Sequence, residues 1–108
     1  MSENIKVLSP EGVVGIESCN ELRVQLLQAF DTADTVLLNF GHIERVDLSF
    51  VQVIYSAVRE ARIRGIGFRL NGEVSKEVGE YLLAGGFCKE APTQARELEN
   101  NLVELQDT

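Results

Sequence analysis

The pattern of hydrophobic and polar positions begins with two short apolar runs separated by a turn. The first run spans Ile5 to Leu8, and the second consists of Val13, Val14 and Ile16. Between them, Ser9-Pro10-Glu11-Gly12 has a turn composition, because proline and glycine favour the backbone angles that turns need. Two short strands joined in this way predict a β-hairpin at the N-terminus.

Apolar side chains then recur every three or four residues, the spacing that places them on one face of a helix. The stripe consists of Cys19, Leu22, Leu26, Ala29 and Ala33. Just before it, Ser18-Cys19-Asn20-Glu21 has the Ser-x-x-Glu form of a capping box, which satisfies backbone N–H groups at a helix start. These signals predict a first helix over residues 19–32.

The segment from Thr35 to Phe40 (TVLLNF) is almost continuously apolar. Such a run is typical of a central strand that is buried on both faces. The next four residues, 41–44, contain glycine and polar side chains and predict a loop. His42 lies in this loop without a second ligand at metal-binding spacing, so we expect it to be a solvated residue.

A second helix is predicted over residues 49–64. Its core stripe consists of Phe50, Ile54, Ala57, Val58 and Ala61. Ser49-Phe50-Val51-Gln52 has the form of a capping box, which predicts Ser49 as the cap. Arginines at positions 59, 62 and 64 lie near the C-terminal end, where the helix dipole favours cations. Gly65 fits the left-handed position that ends a helix.

The rest of the chain predicts one more strand and two helices. The run from Gly67 to Leu70 predicts a strand. Ser75 is predicted to cap a short helix that ends at Gly85-Gly86. Phe87 and Cys88 predict a short edge strand. From Thr93 onward, leucines and an alanine recur at helical spacing and predict a last amphipathic helix; they are Ala95, Leu98, Leu102 and Leu105.

Strands that alternate with helices predict an α/β domain. We expect a mixed sheet of four to five strands flanked by about four helices. The TVLLNF and GFRL strands should be parallel neighbours joined through the second helix. The 108 residues fit a single domain, 1–108, without an internal linker or repeat.

Charge and cysteine content narrow the function classes. The formal net charge of −7 disfavours nucleic acid and anionic membrane surfaces as partners. No apolar run is long enough to cross a bilayer, so direct membrane insertion is not expected. Cys19 and Cys88 form no CxxC pair, and we predict no metal site, no cofactor and a cytoplasmic location with reduced thiols.

Four local features together resemble the STAS family, named for sulfate transporters and anti-sigma factor antagonists. Gly15-Ile16-Glu17 resembles a segment that precedes the family's first helix. The TVLLNF strand is followed by Val46-Asp47-Leu48-Ser49, and the second helix ends in the basic stretch ARIRG. Leu82 to Phe87 resembles the end of the third helix in the family. The resemblance implies the STAS-like fold and a non-enzymatic regulatory role through protein binding.

The resemblance also gives Ser49 a role. In phosphorylated members of the family, an Asp is followed by a hydroxyl residue, the phosphorylated Ser or Thr, and Gly. Aligned on Asp47, this motif places Ser49 at the phosphorylation position, with Leu48 replacing the hydroxyl residue and Phe50 replacing Gly. The implied partner-binding residues are Asp47, Leu48, Ser49, Phe50 and Gln52. From the residues alone, a capping role is sufficient for Ser49, and the two roles are compatible.

Two functions remain open at this stage. In the first, the chain is an anti-sigma antagonist-type signalling component that binds a serine kinase of the anti-sigma type or a protein of a chemotaxis-type signalling array. In the second, it is a structural STAS subunit of a lipid-transport ABC complex and docks through its second helix. An enzyme would need converging polar groups, which the sequence does not indicate. We expect a monomer or a weak homodimer.

Overall fold

The computed structural model of the protein describes residues 4–101. Within these residues, five strands and four α-helices follow one another, with a single turn of 3-10 helix before the last. Their bounds are β1 Ile5–Leu8, β2 Gly12–Val14, α1 Ile16–Thr32, β3 Thr35–Asn39, β4 Ile43–Val46, α2 Leu48–Arg64, β5 Gly67–Asn71, α3 Lys76–Ala84, the 3-10 turn Ala95–Glu97 and α4 Leu98–Asn101. The predicted α/β class is confirmed.

The strands form two small sheets whose ladders are parallel. The larger sheet has the order β1-β3-β5, and the smaller one pairs β2 with β4. The predicted N-terminal hairpin is wrong, because β1 pairs with β3 and β2 pairs with β4. Strand β4 begins inside the segment 41–44 that we predicted as a loop, with Ile43 buried and the next two residues exposed. A short run shows that a strand is favoured but not which distant strand it will pair with.

The helices α1 and α2 each have 17 residues and lie side by side in the same direction. The Asp47 carboxylate accepts a hydrogen bond from the Ile16 N–H at their N-terminal ends, at 3.0 Å. At their C-terminal ends, Arg64 donates to the Asp31 carboxylate at 2.6 Å. The predicted stripes of both helices are buried against the β1-β3-β5 sheet, apart from the half-buried Val58.

The ends of the helices test the capping predictions. Helix α1 begins at Ile16, three residues earlier than predicted; Gly15 is its N-cap, and its capping-box partner is Ser18. Helix α2 ends at Gly65, which has the predicted left-handed backbone at φ 71°. Ser75 caps α3 as predicted, because its hydroxyl accepts the Val78 N–H at 3.1 Å.

The C-terminal part of the described chain packs onto β5. Phe87 and Cys88 do not form the predicted strand, although Cys88 is buried. Ala95 and Leu98 are fully buried in the core, as expected for the inner face of the last predicted helix. Leu102 and Leu105 of that prediction lie outside the described residues.

Candidate partner-binding site

The ends of β2 and β4 bring two helix N-termini together. These strands are parallel neighbours, with Val14 opposite Val46, and each leads within two residues into a helix. The first turns of α1 and α2 therefore lie beside each other, with Asp47 between them. We call this region the Asp47 junction and define it by Gly15, Ile16, Asp47, Leu48 and Ser49.

The Asp47 carboxylate caps α2 and also holds α1. Its Oδ1 accepts the Ser49 N–H at 2.9 Å, and its Oδ2 accepts the Ile16 N–H at 3.0 Å. Both N–H groups belong to helix starts, where backbone donors lack partners within the helix and the dipole favours negative charge. Glycine at position 15 leaves room for this carboxylate, since a Cβ there would lie 2.6 Å from Asp47 Oδ2 and would displace it.

Ser49 is the second residue of α2 and is half-buried. The prediction that Ser49 caps the helix through a Ser-x-x-Gln box is wrong, because the cap is Asp47. The Asp47 carboxylate accepts the Ser49 N–H in the first turn and, as an anion, interacts better with the helix dipole than a neutral hydroxyl does. Ser49 is thus available for another role without loss of the helix cap.

The junction carries two exposed apolar side chains. Ile16 is 76% exposed at the start of α1, and Leu48 is 50% exposed at the start of α2. Gln52 is exposed one turn beyond Leu48 on the same face of α2. Ile16 was not among the partner-binding residues predicted from the sequence. A signal was available, because an isoleucine that follows Gly15 and lies off the apolar stripe of α1 is expected on the surface.

Phe50 needs a correction among the predicted partner-binding residues. Its side chain is fully buried, and its ring packs edge-on against Phe40 with centroids 5.4 Å apart. A residue in this position packs in the core beneath the first turn of α2 and cannot contact a partner. The helical period explains the difference, because Phe50 belongs to the buried stripe that also contains Ile54 and Ala57.

The junction also influences a nearby thiol. Burial raises the pKa of Cys19, and the negative charge of Asp47 raises it further. Burial likewise raises the pKa of Cys88. Both thiols therefore favour the neutral form, which is less nucleophilic than a thiolate.

The basic end of α2 is partly neutralised. Arg64 donates to Glu60 at 2.7 Å and to Asp31 at 2.6 Å, and these hydrogen bonds, that to Glu60 first, raise its pKa. Arg59 is exposed. Ile63 lies between them, is 74% exposed and adds an apolar side chain to this end of the helix.

Outside the junction, the described residues bring few reactive or metal-binding side chains together. His42 is exposed in the turn before β4, at the edge of a shallow polar depression beside Ser75 and Lys76. Within residues 4–101, no three His, Cys, Asp or Glu side chains converge in an arrangement that could hold a metal ion. None of the helices in that range combines the length and hydropathy needed to span a membrane.

Comparisons with known proteins agree with this architecture. A family model described as "Mlab, STAS domain" matches residues 1–87. Among solved structures, the unphosphorylated anti-sigma factor antagonist SpoIIAA matches with a TM-score of 0.64 at 18% identity, over 79% of this chain and 75% of its own. A structure titled "Crystal Structure Analysis of Mglu" matches with a TM-score of 0.56 at 21% identity. The match covers 67% of this chain but only 18% of the Mglu chain. Comparison with curated proteins gives no match.

Proposed function

This chain belongs to the STAS family, and from that premise we propose that it is a non-enzymatic regulatory module that binds a protein partner at the Asp47 junction. The partner is a serine kinase of the anti-sigma type or a protein of a signalling array. Phosphorylation of Ser49 controls the binding. The observation that carries the proposal is the pair of exposed apolar side chains, Ile16 and Leu48, on either side of a capped and well-ordered pair of helix starts.

The partner contact is supported by the composition of the junction. Ile16 and Leu48 provide exposed apolar surface, and Gln52 and Asp47 provide polar groups beside it. Apolar patches bordered by polar groups are typical of protein interfaces. Because Asp47 bonds to both helices, the two apolar side chains are held in a constant relative position, and this reduces the conformational entropy lost on binding.

The electrostatics of the junction support Ser49 as the switch. A phosphate adds about −1.5 to −2 charges at neutral pH. At most helix starts these charges would be stabilised by free N–H groups. Here the Ser49 N–H is already bonded to the Asp47 carboxylate at 2.9 Å, so the added charge would stand next to another anion. Phosphorylation would therefore make the junction strongly negative and oppose binding of a partner that fits its unphosphorylated form.

The phosphorylation is tested with an anti-sigma-type serine kinase encoded beside the gene. After incubation with the kinase and Mg-ATP, mass spectrometry should locate one phosphate on Ser49. Ser49→Ala should abolish it. Ser56→Ala is the matched control, because Ser56 is an exposed serine two turns along the same helix. Incorporation at another residue, or none at all, would contradict the switch.

The binding surface is tested separately by titration calorimetry with the same kinase. Ile16→Lys and Leu48→Lys should each weaken binding at least tenfold, and Ser49→Asp should do the same. Leu83→Lys should leave binding unchanged, since Leu83 is a comparably exposed leucine, at 42%, on α3. Wild-type affinity in the Ile16 and Leu48 variants would rule out the junction as the contact.

The second candidate is a structural STAS subunit of a lipid-transport ABC complex. The exposed apolar side chains at both ends of α2, Leu48 and Ile63, favour docking along the whole helix, which needs no phosphate. In that case Ile63→Lys would impair copurification with an ABC ATPase as strongly as Leu48→Lys, and Ser49→Asp would have a smaller effect. The phosphorylation switch predicts the opposite result: Ser49→Asp should weaken binding strongly, and Ile63→Lys should have the smaller effect.

A further inference from the structure

Within residues 4–101, the β1-β3-β5 sheet has one covered face and one open face. Val36, Leu38 and Phe40 point toward α1 and α2 and are almost completely buried. The alternate positions on β3 point the other way and are only half-buried. On the edge strand β1, the side chains in register with them, Ile5 and Val7, are each 51% exposed. In residues 4–101, α1 and α2 pack on the covered face.

The topology explains why one face is left open. The strand order advances in one direction, from β1 to β3 to β5, and each step is a parallel crossover through one helix. Crossovers of the same hand that advance in the same direction place their helices on the same face. The packing of α1 directly against α2 agrees with this. Parallel sheets normally have both faces covered, so a parallel sheet whose open face carries exposed apolar side chains is exceptional.

The open face is nearly uncharged although the protein is strongly acidic. Its positions in the three strands are Ile5, Val7, Thr35, Leu37, Asn39, Gly67, Arg69 and Asn71. Among these, Arg69 is the charged residue, and it is paired with Glu99 at 3.2 Å. With a net charge of −7 over the chain, the acidic side chains lie elsewhere. Such a face does not attract a basic protein, an acidic protein or a nucleic acid, but it complements a second neutral apolar face.

We propose that the open face packs against the open face of a second copy of this chain. A two-fold axis would bring the same apolar patch of each copy together, with the two sheets about 10 Å apart as in a β-sandwich. Each sheet would then be covered on both faces. The contact lies on the opposite side of the sheet from α1 and α2, so it leaves the Asp47 junction free and does not depend on the proposed function.

The area of the open face limits the affinity of this dimer. Three strands about 4.8 Å apart, with five residues at roughly 3.3 Å each, cover a footprint on the order of 240 Å². Stable complexes bury about 800 Å² per partner, so this contact belongs to the weak class. We expect a dissociation constant on the order of 0.1 to 1 mM. Added salt should strengthen the dimer, because it screens the repulsion between two acidic chains while the contact itself contains no attractive ion pair between copies.

The test is sedimentation equilibrium of the whole chain from about 20 μM to about 2 mM, a range that brackets the expected constant. Wild type should shift from monomer to dimer, more completely at high salt. Val7→Lys and Ile5→Lys should stay monomeric, while the control Leu83→Lys should dimerise like wild type. Circular dichroism confirms that each variant is folded. Wild type that stays monomeric throughout, or a dimer that Val7→Lys leaves intact and Ile16→Lys abolishes, would overturn the proposal.

A second measurement separates face-to-face packing from pairing through the free edge of β1. Asn4 accepts the Thr35 N–H, so the N–H groups of Ile5 and Val7 point away from β3 in the alternation of the ladder. Edge pairing would protect these two N–H groups from hydrogen exchange at high concentration. Face packing leaves them unprotected and instead shifts the methyl resonances of Val7 and Leu37 on dilution. Protection of the two N–H groups would contradict the face-to-face dimer.

Discussion

At the scale of single residues, Asp47 accounts for most of the local order of the candidate site. One carboxylate accepts hydrogen bonds from its own helix start and from the start of α1, 31 residues earlier in the chain. The close approach of Asp47 to α1 depends on Gly15, which leaves room for Oδ2. Ser49 contributes its backbone N–H to this arrangement, so its hydroxyl is not needed to cap the helix.

The different roles of Asp47 and Ser49 give a direct stability prediction. Asp47→Ala should lower the free energy of unfolding by roughly 2 kcal/mol, because it removes a helix cap and a second charge-assisted hydrogen bond. Ser49→Ala should change it by less than about 0.5 kcal/mol, the usual range for a surface position. Urea unfolding of both variants measures the difference. A loss of stability in Ser49→Ala that equals the loss in Asp47→Ala would identify Ser49 as the true cap.

The raised pKa of Cys19 predicts a pH dependence of stability. The thiol ionises less readily in the folded chain than at its ordinary pKa of 9.0 in the unfolded chain. Its contribution to stability is therefore fully present below pH 9.0 and is lost as the pH rises through the higher folded value. Cys19→Ala should flatten this alkaline decline in urea unfolding measured from pH 8 to 10.5, roughly the range in which thiols titrate. An equally steep decline in the variant would contradict a role for Cys19.

At the scale of secondary-structure elements, α1 and α2 behave as one unit. They are equal in length, run in the same direction and are hydrogen-bonded to each other near both ends. Residue periodicity predicted their buried stripes, because burial on a helix repeats with the helical turn. It did not predict that the two helices would start beside a shared carboxylate, since that contact depends on the pairing of β2 with β4.

The end of α2 provides a test at this scale. Gly65 has φ 71°, and a Cβ there would meet no atom within 4 Å. The cost of a side chain at this position is therefore purely conformational. Gly65→Ala should lower the free energy of unfolding by about 1 kcal/mol, and Gly65→Asn by less, because asparagine tolerates the left-handed region better. Thermal unfolding of the two variants checks the order; equal stability of Gly65→Ala and wild type would be inconsistent with a left-handed residue here.

At the scale of the whole molecule, the C-terminal segment belongs to the same core as the part that matches the family. The family match ends at residue 87, but Ala95 and Leu98 are fully buried against the rest of the chain. Glu99 also accepts the Leu70 N–H at 2.7 Å, which satisfies a donor on the outer edge of β5. We therefore propose that the described chain is one cooperative folding unit.

Leu98→Ala tests this proposal. Removal of a fully buried leucine should lower the free energy of unfolding of the whole chain by about 3 kcal/mol, and the transition should remain single. Leu83→Ala is the control. Because Leu83 is 42% exposed, this variant should lower the free energy of unfolding much less. Fluorescence and circular dichroism should report the same midpoint in each variant. Two separate transitions in Leu98→Ala would show that the segment folds independently.

The sequence by itself determined the strands β1, β2, β3 and β5, the helices α1, α2 and α3 with the buried stripes of α1 and α2, and the helix boundaries at Ser75 and Gly65. These features depend on neighbours within a few residues, so local periodicity and local backbone preferences reveal them. Tertiary structure alone decided that β1 and β2 pair with β3 and β4, that Asp47 joins two helix starts, and that residues 4–101 leave one face of the parallel sheet open. Each of these depends on contacts between residues about thirty positions apart, and local patterns carry no information about which distant segments will meet.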